Sequence, residues 1–308
     1  MDEKMKPVTK DLLTLNELEK AELIGIIDNA IKMKQDLKKN ISKPLLKNKT
    51  LAMIFQKPST RTRVSFETGM FQLGGHALNL SADDLQLKRG ETIEDTAKTL
   101  SRYVDLIMAR VYSHDEIVLL AKNSSVPVIN GLSDSFHPCQ ILADLMTIKE
   151  KKKKLEGLKL AWIGDGNNVC NSMIYGCAKT GIDISIATPK GYEPNPNVVK
   201  ESNKLIDVKL SNRPEAAIRG ADVVVTDTFV SIHHQTTDRT NDFLPHFQVN
   251  SSLMKQANPS AIFMHCLPAK RGQEVTSEIL DGPQSAIWDE AENRLHAQKA
   301  LMVALLRV

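Results

Sequence analysis

The stretch Leu51-Ala52-Met53-Ile54-Phe55, followed after Gln56-Lys57-Pro58 by Ser59-Thr60-Arg61-Thr62-Arg63 and then Val64-Ser65-Phe66, decides the fold. An apolar run without polar alternation reads as a strand buried on both faces, the kind found in parallel sheets. Hydroxyl residues directly behind it suit the start of a helix, whose first N–H groups lack intrahelical partners and carry the positive end of the helix dipole. A phosphate placed there collects several hydrogen bonds at once, and Arg61 and Arg63 add planar donors that match anionic oxygens. A capped helix with two solvated arginines is the plainer alternative. Five polar residues in succession behind a buried strand favour the anion site.

Working outward, the same alternation of apolar runs and helical spacing fills the chain. Leu51–Phe55, Leu106–Ala109 and Val126–Ile129 form one series of predicted strands, and Leu160–Ile163, Ile182–Ala187, Val223–Thr226 and Ala261–Met264 form a second. Two series predict an α/β protein of two doubly wound parallel-sheet lobes linked by helices. Upstream, Thr14 and Glu17 predict a capping box for a helix running to about Lys38, with Leu18, Leu23, Ile24, Ile27 and Ile31 as its apolar stripe. Proline at the second position of His137-Pro138 suits a first helical turn, and that helix runs into a lysine-rich stretch, Lys149 to Lys154. The boundary between lobes is therefore expected there: residues 1–148 in the first domain, 149–289 in the second, and 290–308 as a terminal helix returning to the first.

Composition narrows the classes of function. With 308 residues the chain has room for two domains of about 150 residues. A net charge of +3 implies no strong nucleic-acid or membrane field. No apolar run reaches the roughly 18 residues of a membrane span. The four cysteines, at 139, 170, 177 and 266, form neither a CxxC pair nor a zinc-like pattern with histidine. Neither disulfides nor a metal is expected, and the expected compartment is a reducing cytoplasm.

Ligands of open α/β sheets bind beyond the carboxyl ends of the strands, so residues just after each strand are the candidates. The first series delivers Ser59 to Arg63, then Arg110, then a loop leading to His137-Pro138-Cys139-Gln140. Together these offer cations and neutral donors to a phosphate bearing a carbonyl. In the second series, Gly164-Asp165-Gly166 superficially suggests a dinucleotide loop, and a dehydrogenase is a rival reading. The third glycine of that pattern is missing, because Val169 stands in its place. The glycines read instead as a tight turn that presents Asn167 and Asn168. Asp227, at the end of its strand, either holds a cationic amine or caps a helix. Cys266, after the last strand, is either a buried thiol or a site residue. Arg294, in the terminal helix, is a solvated charge or a third cation for the phosphate.

Four ordered motifs carry a resemblance over nearly the whole chain: Ser59-Thr60-Arg61-Thr62-Arg63, His137-Pro138-Cys139-Gln140, Asp165-Gly166-Asn167-Asn168 and His265-Cys266-Leu267-Pro268. Leu100-Ser101-Arg102-Tyr103 and Trp288 to His296 extend it. The chain resembles the aspartate/ornithine carbamoyltransferase family. The resemblance implies an enzyme that moves the carbamoyl group of carbamoyl phosphate to the δ-amine of L-ornithine, with no metal, redox cofactor or covalent intermediate. Acetylornithine or putrescine as acceptor, and a non-catalytic metabolite-binding relative, are the alternatives.

By that resemblance the first domain binds carbamoyl phosphate through Ser59, Thr60, Arg61, Thr62, Arg110, His137, Pro138, Cys139, Gln140 and Arg294, with Cys266 and Leu267 near the carbamoyl group. Gln86 is expected to reach the site of a neighbouring subunit in a homotrimer or a multiple of trimers. The second domain is expected to hold ornithine through Asn168, Asp227, Ser231 and Ile232, and the catalytic roles fall to Arg110, His137 and Cys266. One departure stands out. The family loop after the aspartate usually reads Ser-Met-Gly, whereas this chain has Ser231-Ile232-His233-His234.

Overall fold

A computed structural model describes residues 9–81, 85–86, 90–230 and 239–307. Ser231 and Ile232, with the rest of the departing loop, lie outside them. The chain divides into two compact units. One comprises the chain up to Met146 together with Asn293–Val308, and the other is Thr147–Glu292.

In the first unit, helix α1 (Lys20–Lys38) is followed by β1 (Thr50–Phe55), α2 (Thr60–Gln72), β2 (His76–Ser81), α3 (Ile93–Leu100), β3 (Leu106–Arg110), α4 (His114–Asn123) and β4 (Val128–Leu132). All pairings are parallel, in the order β2-β1-β3-β4. Helix α5 (Pro138–Lys152) begins here and passes into the second unit.

The second unit continues with β5 (Lys159–Ile163), α6 (Asn168–Thr180), β6 (Asp183–Ala187), α7 (Pro196–Ser202), β7 (Lys209–Ser211), α8 (Pro214–Ile218) and β8 (Val223–Thr226). Three short helices, α9 (Thr240–Phe243), α10 (Ser251–Met254) and α11 (Ser277–Leu280), flank β9 (Ile262–His265). Its sheet is also parallel, ordered β7-β6-β5-β8-β9. Helix α12 (Ile287–Leu306) starts in this unit, and from Asn293 onward its residues belong to the first. These are the two doubly wound α/β lobes that the alternation predicts, with the terminal helix returned to the first.

Both sheets have a topological switch, which is where such folds open a crevice. The chain leaves β1 for β2 on one side and comes back to β3 on the other, so the loops after β1 and β3 diverge. The same happens between β5 and β8. Central strands such as β3 and β8 are fully buried and apolar up to their last residue, whereas β2 is half exposed and β7 is an edge strand of three residues. That difference explains why the apolar runs predict the central strands and miss β2 and β7.

The amino-terminal prediction is half right. The Thr14–Glu17 capping box is present, but it caps only a single 3-10 turn, Leu15–Glu17. Leu18 then adopts an extended backbone, and α1 starts afresh behind a second box made by Glu19 and Glu22. The turn is diverted because the segment before it is tied to β4. The Leu12 N–H donates to the Val128 carbonyl at 2.9 Å, and Asn130 N–H returns a bond to the Leu12 carbonyl at 2.8 Å.

Two helices at the switch points owe their starts to side-chain caps. Ser59 Oγ accepts from the Thr62 N–H at 3.3 Å, and Asn167 Oδ1 accepts from Val169 and Cys170 N–H at 3.0 and 3.1 Å. Helix α6 closes at Gly181, whose φ of +74° is the left-handed cap that glycine adopts without a Cβ penalty. Among the described residues, no helix is long and apolar enough to cross a membrane.

The glycine turn after β5 has a steric purpose. A Cβ on Gly166 would lie 2.3 Å from Pro194 N, 2.5 Å from Glu193 C and 2.6 Å from Tyr192 O, all backbone atoms. The Gly166 N–H donates to the Tyr192 carbonyl at 2.8 Å, so the loop after β6 packs directly on this turn. Gly166→Ala is expected to destabilise the protein by about 1–3 kcal/mol through forced displacement of that backbone. Urea unfolding checks it, and an unchanged midpoint would refute the close approach.

Candidate functional site

At the switch point of the first sheet, register brings distant residues together. Phe55 pairs with Arg110 at the ends of β1 and β3, which sets Arg110 beside the strand that leads into Ser59. The ladder shifts register between Ala109 and Arg110, and the Arg110 carbonyl takes the Gln56 N–H at 2.9 Å. Arg110 is buried, as are Thr62, His137, Gln140 and Arg294.

Arg294 joins three helices. Its Nη1 donates to Gln140 Oε1 at 2.7 Å and its Nη2 to Thr62 Oγ1 at 3.2 Å. Gln140 in turn donates from Nε2 to Asp144 Oδ1 at 2.8 Å. The guanidinium thus fixes the inner wall of α2 against α5 from a residue near the chain's end. His137 sits one residue before Pro138, the first residue of α5, and its carbonyl accepts from the Gln140 N–H at 3.1 Å.

The pentad does not act as a block. Thr62 faces inward, and Arg63 points the other way to an exposed ion pair with Glu67 at 3.1 Å, because the two are adjacent on a helix. Arg63 therefore does not join the buried set. Ser59 and Thr60 line a cavity of about 1000 Å³ together with Lys57, Arg63, Tyr112 and Glu116. Lys57 is a residue the sequence argument passed over. Its ammonium lies 4.3 Å from the Tyr112 ring centre, and burial, aided by the nearby Arg110 charge, pushes its pKa down. Its position two residues before the pentad, in the loop between strand and helix, was the available signal.

Two other predicted residues sit differently. Cys139 is wholly buried and its Sγ reaches the Asn130 carbonyl at 3.4 Å, while burial pushes the thiol up to about 12. Gln86 is exposed beyond β2, and its carbonyl accepts from the Glu91 N–H at 3.2 Å.

The second unit repeats the logic with opposite charge. Thr226 pairs with His265 at the ends of β8 and β9, so the next residues, Asp227 and Cys266, emerge side by side. Asp227 Oδ1 accepts from the Thr228 N–H at 2.8 Å and from Cys266 Sγ at 3.2 Å, and Oδ2 accepts from Asn167 Nδ2 at 2.8 Å. Asp227 is no helix cap. It is a buried carboxylate aligned by three donors, next to Asn168 in the first position of α6. Cys266 is the one partly exposed thiol of four free cysteines.

Asp227, His265 and Cys266 have potential ligand atoms within 4.8 Å of one another. The histidine is already committed, however. Nδ1 accepts from the Leu267 N–H at 2.9 Å and Nε2 lies 3.1 Å from Glu274 Oε1, so the ring cannot ligate an ion without giving up one of these bonds.

A third carboxylate, Asp165, stands behind Asp227. Both its oxygens lie 3.4 Å from Arg239, whose guanidinium stacks 4.3 Å over the Tyr192 ring. Burial raises the Asp165 pKa from 3.8 to about 6, Arg239 opposes the rise and Asp227 adds to it. No local pattern links Asp165 to Arg239.

The first family model that matches is "Aspartate/ornithine carbamoyltransferase, carbamoyl-P binding domain", over residues 10–150. The second, "Aspartate/ornithine carbamoyltransferase, Asp/Orn binding domain", matches 156–305. The chain is 62% identical over 301 residues to the ornithine carbamoyltransferase of Cenarchaeum symbiosum, covering 98% of this chain and 99% of that one. Among solved structures, the ornithine carbamoyltransferase from Pyrococcus furiosus superposes with a TM-score of 0.91 at 53% identity, covering 95% of this chain and 96% of the other. The anabolic ornithine carbamoyltransferase from Campylobacter jejuni gives 0.90 at 42%, with 96% and 99% covered.

A carboxyl group whose folded pKa is raised favours the fold most when protonated. The contribution of Asp165 is full below 3.8 and is lost as pH rises through about 6. The stability of the native protein relative to Asp165→Asn is therefore expected to fall across that window in denaturant titrations. A flat difference would contradict the raised pKa.

Proposed function

The chain belongs to the aspartate/ornithine carbamoyltransferase family, and from that we propose that its first unit binds carbamoyl phosphate and its second the amine acceptor. The chain transfers the carbamoyl group of carbamoyl phosphate to the δ-amine of L-ornithine, giving L-citrulline and phosphate. The observation that carries the division of labour is the opposite charge at the two switch points. Buried guanidiniums, Arg110 and Arg294, stand with hydroxyl and amide donors in one unit, and a buried carboxylate, Asp227, stands in the other. Phosphate needs the first and a cationic or amine-bearing ligand needs the second.

In this reading the N–H groups that open α2, with the Ser59, Thr60 and Thr62 hydroxyls, Arg61 and Arg110, take the phosphate. Neutralising it lowers the cost of its departure. His137, Gln140 and Arg294 line the same pocket, with Pro138 and Cys139 shaping its backbone. The neutral δ-amine attacks the carbonyl carbon, the C–O bond to phosphate breaks, and the amine gives up a proton. Arg110, Thr62 and His137 donate to the carbonyl oxygen as negative charge builds on it, an effect worth about 3 to 4 kcal/mol for a well-aimed donor.

Asp227 holds the δ-amine from one side, Cys266 and the Leu267 backbone from another, and Asn168 orients the α-amino acid end. Ser231 and Ile232 are assigned to that same end by the family pattern. The chain acts in the cytoplasm, where cysteines stay reduced. It assembles as a trimer or a multiple of trimers, with Gln86 serving the neighbouring site.

A product assay with ornithine, acetylornithine, putrescine and aspartate in parallel tests the reading. Ornithine is expected to be carbamoylated fastest. Asp227→Asn is expected to raise the ornithine KM at least about tenfold, the value of one charge-assisted bond, while sparing carbamoyl-phosphate binding. Preference for aspartate, or equal loss of both substrates in the variant, would overturn it.

A further inference from the structure

The end of β9 contains a buried His–Glu pair that the proposed reaction does not use. His265 and Glu274 are both fully buried, with Nε2 and Oε1 3.1 Å apart. The other ring nitrogen, Nδ1, receives the Leu267 N–H at 2.9 Å. A backbone N–H only donates, so Nδ1 presents its lone pair and the proton of the neutral ring lies on Nε2, aimed at Glu274. Glu274 Oε1 also accepts the Lys270 N–H, at 2.6 Å. The His265 N–H goes to Glu290 Oε2 at 2.9 Å, which anchors the strand end to the first turn of α12 within the same unit.

The residue these bonds restrain is unusual. Leu267 has φ +60°, a left-handed conformation that a residue with a Cβ adopts only at an energetic cost. Something must hold it, and the bond from its own N–H to His265 Nδ1 closes the turn. That turn contains Cys266, whose Sγ meets Asp227 at 3.2 Å.

We infer that His265 is a positioning residue, locked by Glu274 as the Nε2–H tautomer, which holds the Leu267 turn and so aims Cys266 and the Leu267 backbone at the amine. It is not the acceptor of the amine's proton, since Nδ1 is spent on the Leu267 N–H and Nε2 on Glu274. The inference rests on the proposed function. The charged or titratable groups around the ring are Glu274, Glu290, Cys266 and Asp227.

Asparagine and glutamine separate the two nitrogens. In His265→Asn the amide oxygen stands where Nδ1 was and can still accept from Leu267, but the side chain falls short of Glu274. In His265→Gln the amide reaches Glu274 and leaves the Leu267 N–H unsatisfied. The Gln variant is expected to lose about 100-fold in kcat with a raised ornithine KM and an unchanged carbamoyl-phosphate KM, the scale of a misplacement near 1 Å. The Asn variant is expected to stay within about tenfold of the native enzyme and to keep its pH–rate profile.

Glu274→Gln retains an acceptor for both Nε2–H and the Lys270 N–H, and is expected to keep near-native turnover. This variant decides the matter should His265→Gln fail to fold. Equal inactivation of the two folded His265 variants, a vanished pH limb in His265→Asn, or collapse of turnover in Glu274→Gln would each overturn the inference. A native enzyme that makes no citrulline would instead overturn the proposed function, so the two failures are distinguishable.

Discussion

The guanidinium of Arg294 is the constraint on which the buried polar cluster of the first unit depends. It is buried, and a buried cation is tolerated only when its donors are satisfied. Here Gln140 on α5 and Thr62 on α2 satisfy two of them, which ties the amino end of one helix to that of another through a residue 154 positions beyond Gln140. The requirement explains the path of the chain. Helix α12 starts in the second unit, and its residues from Asn293 onward, Arg294 among them, belong to the first, so the cluster of Thr62, Gln140 and Arg294 is completed only when the last segment folds. The same tie orders Thr62 and Gln140 before any ligand arrives, and preorganised donors are those that contribute most to a charge-developing reaction.

The cluster of the second unit is built by register rather than by a single cation. Because Thr226 lies opposite His265, Asp227 and Cys266 must leave their strands as neighbours, and the Asn167 cap of α6 supplies the remaining donor. A buried carboxylate with fixed donors is the electrostatic complement of an amine, as buried guanidiniums are of a phosphate. Behind it, Arg239 and Asp165 form a second pair that keeps another negative charge partly neutralised beside Asp227. The buried groups at the two switch points thus differ in kind: guanidiniums of Arg110 and Arg294 in the first unit, and the carboxylates of Asp227 and Asp165, the latter paired with Arg239, in the second.

Much of this is legible in the residues themselves. The unbroken apolar runs mark β1, β3, β5, β8 and β9 because buried parallel strands need no alternation, and the strand-end rule then leads straight to Ser59, Arg110, Asp227 and Cys266. Edge strands β2 and β7 escape because half-exposed or three-residue strands lack that signal. The orientation of Arg63 away from Thr62 follows from helical geometry, which a linear pentad hides. Long-range pairs such as Arg239 with Asp165, and the His265–Glu274 lock on Leu267, have no local signature, since they arise only when the sheet sets strand ends side by side. The Thr14–Glu17 box was legible as a cap but not as the cap of a single turn, because the competing bonds of Leu12 to β4 are nonlocal.

The most direct test of the account is the affinity of Arg294→Lys for carbamoyl phosphate, measured by calorimetry without ornithine. Lysine keeps the charge and loses the planar fork that bonds Gln140 and Thr62 together. If the fork preorganises the anion site, binding is expected to weaken by at least about tenfold, the equivalent of one charge-assisted hydrogen bond, with the fold intact by thermal unfolding. Native affinity in the lysine variant would show that charge alone suffices and would contradict the account.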